Sequence, residues 1–77
     1  MANIAMNDLT RQIHAIVARY SGLADAILKT QCKLIGKDPD QITRADLPAL
    51  ADRIGKAVGM FTAPHKGEHA QRAILDL

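Results

Sequence analysis

Leu47-Pro48-Ala49-Leu50-Ala51-Asp52-Arg53-Ile54-Gly55-Lys56-Ala57-Val58-Gly59-Met60-Phe61 is the stretch whose spacing decides the fold. At 100° per residue, Leu47, Leu50, Ala51, Ile54, Ala57, Val58 and Phe61 fall within an arc of about 120°, the apolar stripe of a helix facing a core. Its start is written just upstream. Thr43-Arg44-Ala45-Asp46 has the capping-box order in an acidic variant, and Ile42 and Leu47 stand where a hydrophobic staple packs. Pro48 separates two registers. With Thr43 as N-cap, it would be the fifth helical residue and remove a hydrogen bond; with Asp46 as N-cap, it lies harmlessly in the first turn. The expected helix therefore spans 46–62, after a short turn at Thr43.

Upstream, Lys37-Asp38-Pro39-Asp40-Gln41 is a turn by composition, and it is too short for a domain linker. Before it, Leu23, Ala24, Ile27, Leu28, Leu34 and Ile35 share one face of a helix over 23–35, with Asp25, Lys29, Lys33 and Lys37 opposite. Gly36 suits the residue just past its end, and the lysines suit the negative end of its dipole. Further back, Leu9, Ile13, Ile16, Val17 and Tyr20 fall on an arc of about 100°, which predicts a helix over 8–20. Asn7 is its expected N-cap, and Ser21-Gly22 its break.

Downstream, Pro64 opens a weaker helix over 64–76, whose apolar arc is Ala70, Ala73, Ile74 and Leu77. Gly67 lowers its propensity. No β-branched alternation of period two occurs, so no strand is expected. The sequence reads as one all-α domain over 1–77, a compact bundle of about four short amphipathic helices.

Length and composition narrow the class further. Seventy-seven residues hide only about 60–65% of the surface of the unfolded chain, so the core is marginal. Cys32 is the only cysteine, which excludes an internal disulfide and fits a reducing cytoplasm. Met1 to Asn7 lacks a signal-peptide pattern, and no apolar run approaches the roughly 18 residues of a membrane span. A net charge of +2 is too small to argue for nucleic acid by itself.

Few residue groups suggest chemistry. His65-Lys66-Gly67-Glu68-His69 has the order of an inverted zinc-peptidase motif, with two histidines four apart and a carboxylate base. Arg72 shares that face and no third ligand is evident, so a solvated first turn is the simpler reading. Gly55 can be aligned with the turn glycine of a helix-turn-helix, with Ala51 and Ile54 fitting upstream. The recognition helix would then be Ala57 to Lys66, which carries Pro64 and an apolar run unsuited to base edges. The acidic residues Asp38, Asp40 and Asp46 echo a calcium-loop ending but lack its glycine and spacing. Lys29, Lys33 and Lys37 form a basic stripe able to hold phosphates or an acidic partner, or simply to face solvent. Cys32, at the edge of its helix's apolar arc, is expected to be a packed thiol, and His14 would approach it only by accident of packing.

Gln31 is the oddest residue. It falls in the middle of an apolar face, where an unpaired amide costs about 1–3 kcal/mol. One polar residue in an apolar seam can fix the register of a dimer. The sequence thus points to a small non-catalytic protein-interaction or regulatory module acting as a homodimer, with Leu9, Ile13, Ile16, Tyr20 and Gln31 at the interface. Neither a cofactor nor a membrane partner is expected. The alternatives are nucleic-acid binding through the third and fourth helices or the lysine stripe, and metal binding through His65 and His69.

Overall fold

Asn7 stands at the beginning of the first helix in the computed structural model, which describes residues 6–77; the part of the domain and leader expectations that concerns residues 1–5 lies outside it. The Asn7 backbone is extended, and its Oδ1 accepts from the Thr10 N–H at 2.9 Å and the Thr10 hydroxyl at 2.8 Å. That cap satisfies one of the free amides of α1, Asp8–Ala18. The helix stops two residues earlier than its periodicity suggests. The N–H groups of Arg19 and Tyr20 reach back three residues, to Ile16 and Val17, which tightens the last turn before Ser21-Gly22.

The second helix, α2, spans Ala24–Leu34. It ends in a Schellman motif: Gly36 takes φ +76°, its N–H bonds to Lys33, and the Lys37 N–H reaches the Cys32 carbonyl. The buried face is Ala24, Ile27, Leu28 and Cys32. This corrects the expected face, which included Leu23 and Leu34 and put Cys32 at its edge. Those two leucines share one edge of the arc, about 20° apart at helical spacing. The core covers the opposite edge, leaving Leu23 and Leu34 more than half exposed.

Both readings of the third helix's start contribute. Arg44–Asp46 is a single 3-10 turn, and α3 follows over Leu47–Phe61 with Pro48 in its first turn. Asp46 occupies the N-cap position, but its carboxylate turns back to accept from the Thr43 N–H at 2.9 Å and hydroxyl at 3.1 Å. It therefore caps the turn instead of α3. The Thr43 backbone bond is the main reason its carboxyl lies below the usual aspartate range; Lys37, 3.7 Å away, adds to it.

At the other end of α3, Thr62 bonds the Val58 carbonyl through both its N–H and its hydroxyl. Thr62-Ala63 is the whole connection, and α4 begins with Pro64 in its first turn and spans Pro64–Leu75. Gly59 lies near Pro64 and Gly67, whereas Gly55 lies near Gly67 and Gln71, so the two helices form an antiparallel hairpin. Gly67 has a structural task that helix propensity hides. A Cβ there would stand 2.2 Å from the Gly55 carbonyl oxygen and 2.9 Å from the Gly59 nitrogen.

The core lies where all four helices converge. Ile13 and Val17 of α1, Leu28 of α2, Leu50, Ile54 and Val58 of α3, and Ile74 of α4 are fully buried. Two expected interface residues, Ile13 and Ile16, are spent here, packed within their own chain; Leu9 and Tyr20 are half-buried against the core's margin. Phe61, expected on the inner arc of α3, is instead 60% exposed, because α3 ends beside it and, among the described residues, no element covers that side.

Candidate interaction groove between the second and third helices

Residues 57–61, Ala-Val-Gly-Met-Phe, carry apolar or small side chains through more than a full helical turn. No single buried face can accept all of them. Ala57 and Val58 turn into the core and Gly59 faces α4, which leaves Met60 and Phe61 outside. Leu23, at the start of α2, joins them across a hollow of about 270 Å³ that Ala26, Gln31 and Ala57 also line. Exposure there is 85% at Met60, 60% at Phe61 and 51% at Leu23.

Gln31 marks the middle of the groove. Together with Ala57 and Met60 it also borders a second, more polar hollow of about 450 Å³, which continues to Asp52, Arg53 and Lys56. The side chain is half-buried and, among the described residues, makes no hydrogen bond. Its amide can therefore both donate and accept toward the groove. Lys56 and Asp52 form an ion pair at 3.1 Å, one helical turn apart along the same wall.

The lysine stripe is assembled as expected. Lys29, Lys33 and Lys37 line one hollow of about 360 Å³ at the end of α2, with Gly36, Asp38 and Gln41 completing it. Its charge is partly offset: Lys37 pairs with Asp46, and Asp38 shares the rim. The segment that echoed a calcium loop is a hydrogen-bonded turn. The Asp38 carbonyl accepts from the Gln41 N–H, and Asn7 Nδ2 donates to the carbonyls of Asp40 at 3.3 Å and Ile42 at 2.8 Å.

His65 and His69 stand on one exposed side of α4, their rings edge to face with centroids 6.0 Å apart. Glu68, His69 and Arg72 border the same open hollow. Among the described residues, no three His, Cys, Asp or Glu side chains are grouped to hold a metal ion. The helix-turn-helix alignment is overturned. Gly55 lies inside α3, buried against α4, and the segment 57–66 is interrupted at Thr62-Ala63.

Cys32 is fully buried, and desolvation pushes its thiol up to about 11, with the carboxylates of Asp46 and then Asp38 adding to the rise. His14 does not approach it; its Nε2 is hydrogen-bonded to the Asp25 carboxylate, tying α1 to α2. A thiol so placed is a packing group. Among the described residues, no helix is long and apolar enough to cross a membrane.

Comparison with protein-family models gave no match, and neither the curated proteins nor the solved structures gave a significant one.

Two features of this groove escaped the sequence. Phe61 falls on the expected inward arc and Met60 outside it, but an apolar run wrapping the whole helix necessarily leaves more than one side chain uncovered. Leu23 was assigned to a core face that is in fact turned toward Cys32.

Proposed function

We propose that the chain is a small non-catalytic helical module for protein interaction or regulation, docking through the α2–α3 groove and working as a homodimer. The observation that carries this reading is the exposure of Met60, at 85%, and Phe61, at 60%, along the α3 side of a ready-made apolar hollow. Covering a Phe or Met side chain stabilises a complex by about 1.5–3 kcal/mol each, before the cost of association. Aromatic residues and Met are also the types enriched at the centres of interfaces. A chain with so small a core gains most from burial shared with a neighbour. The lone packed thiol suits a cytoplasmic setting.

The test is association as a function of concentration. Sedimentation velocity should show wild-type chains associating at micromolar concentration, whereas the double variant Met60→Ser/Phe61→Ser remains monomeric with the same helical far-ultraviolet signal. Equal association of the double variant would remove the groove from the reading. A wild-type chain that stays monomeric across that range would remove the homodimer.

A further inference from the structure

The two histidines of α4 are uncommitted, on a helical turn whose back is held in place. His65 and His69 stand one turn apart, both exposed, with ring centres 6.0 Å apart. Among the described residues, neither ring takes part in a hydrogen bond or an ion pair. The other histidine, His14, is committed to Asp25. From this pair we infer a binding site for one divalent transition-metal ion of the imidazole-preferring class (nickel, copper or zinc), chelated by His65 and His69.

Distance decides first whether one ion can reach both rings. At a metal–nitrogen distance of about 2.1 Å, an ion stands about 3.2 Å from the ring centre, so two rings on one ion have centres at most about 6.4 Å apart. The observed 6.0 Å lies inside that limit. The separation falls to about 5.2 Å at a tetrahedral angle and about 4.5 Å at an octahedral one. Closing the rings by about 1–1.5 Å needs only small side-chain rotations, which exposed histidines can make.

The backbone beneath them is the second consideration. First turns of helices commonly fray. Here Gly67 lies midway between the two histidines in sequence and opposite them on the helix, where even a Cβ would strike the backbone of Gly55 and Gly59. That contact fixes the turn against α3, so the spacing of the two ligands is set before an ion arrives.

Charge is the third. At helical spacing, Lys66 and Glu68 lie about 80° to either side of the pair's midline and offset each other. Arg72 follows one turn beyond, but Glu68 and Asp76 border the same hollow as Arg72 and His69, two acids against one base. An arriving cation therefore meets no net repulsion there. The donors are imidazole nitrogens, which suit nickel, copper and zinc, whereas calcium and magnesium require oxygen ligands. Two protein ligands leave coordination positions open to water, which makes this a site for an exchangeable ion and not a structural one.

Calorimetric titration of the full chain with nickel chloride, in a buffer that does not bind metal, should show one ion per chain. His65→Ala and His69→Ala should each weaken binding about tenfold or more, because the second imidazole coordinates as an intramolecular partner. Both side chains are exposed, so the far-ultraviolet signal should stay native. Lys66→His/His69→Ala keeps two histidines but sets them side by side around the helix, and it should bind no better than His69→Ala. Nickel should also raise the urea midpoint of the wild-type chain and not of this spacing variant, because only the folded helix holds the required separation. Binding at wild-type strength in the spacing variant, or in either alanine variant, overturns the chelate. So does loss of binding in His14→Gln with retention in His69→Ala, which would move the metal to His14 and Asp25. The site lies on α4, outside the residues that line the α2–α3 hollow, so its failure leaves the docking reading intact.

Discussion

α3 is treated in opposite ways by its two neighbours. Toward α4 it offers Gly55 and Gly59, and Gly67 answers from the other side, so the backbones meet with no room for a single Cβ at Gly67. Toward α2 it offers Ala57, Met60 and Phe61 across an open groove in which large side chains remain uncovered. One flank of the helix is finished within the chain, and the other stays open among the described residues; in the proposed reading a partner finishes it. The difference teaches where to look for function in a fold this small: the surface that matters is the one where packing stops short.

The comparison can be broken most forcefully at Gly67. Alanine is the better helix former by about 1 kcal/mol, so propensity alone predicts that Gly67→Ala stabilises the protein. The Gly55 carbonyl oxygen 2.2 Å from the new Cβ reverses the sign, because backbone cannot step aside as a side chain can. Urea unfolding should show a loss of about 3 kcal/mol. Gly22, where a Cβ would have nothing within 4 Å, supplies the control. A neutral Gly67→Ala would mean that the closed flank is not closed.

Labelling of Cys32 asks whether the wall of α2 stays in place beside the open groove. With the thiol fully buried and raised to about 11, a thiol reagent at neutral pH should react about 100-fold more slowly than in denaturant. Rates that match those of the unfolded chain would show that α2 lifts away readily, and that the groove is a gap without a fixed shape.

The smallest effect belongs to the open flank. Phe61→Ser removes an aromatic ring that is mostly in solvent already, so thermal unfolding at a concentration too low for association should shift by less than about 0.5 kcal/mol. A loss of 2 kcal/mol or more would place Phe61 in the chain's own core.

Much of the fold was legible because helical spacing is a local property. Leu50, Ile54 and Val58 announce an inward stripe whatever they pack against, and Pro48 and Pro64 mark helix starts through their own missing N–H groups. The unread parts depend on distant residues. Gly67 looks like a weak point until Gly55 is known to lie against it, and nothing in the local sequence brings them together. Asp46 sat at the cap position that the pattern indicates, but only coordinates show its carboxylate committed to Thr43. Of the candidate groove, Gln31 was readable as a polar residue on an apolar face. Met60 and Leu23 were not, since periodicity says which residues are apolar and not which of them a neighbour will reach.

Asn7 has a topological consequence. Its Oδ1 fastens the first turn of α1, and its Nδ2 fastens the Ile42 carbonyl, 35 positions further along the chain. One side-chain amide thus closes α1, α2 and the turn after them into a ring. The point where the chain enters α1 lies beside the point where it departs for α3. The first half is a clasped loop and the second half a zipped hairpin, and both line one common interior.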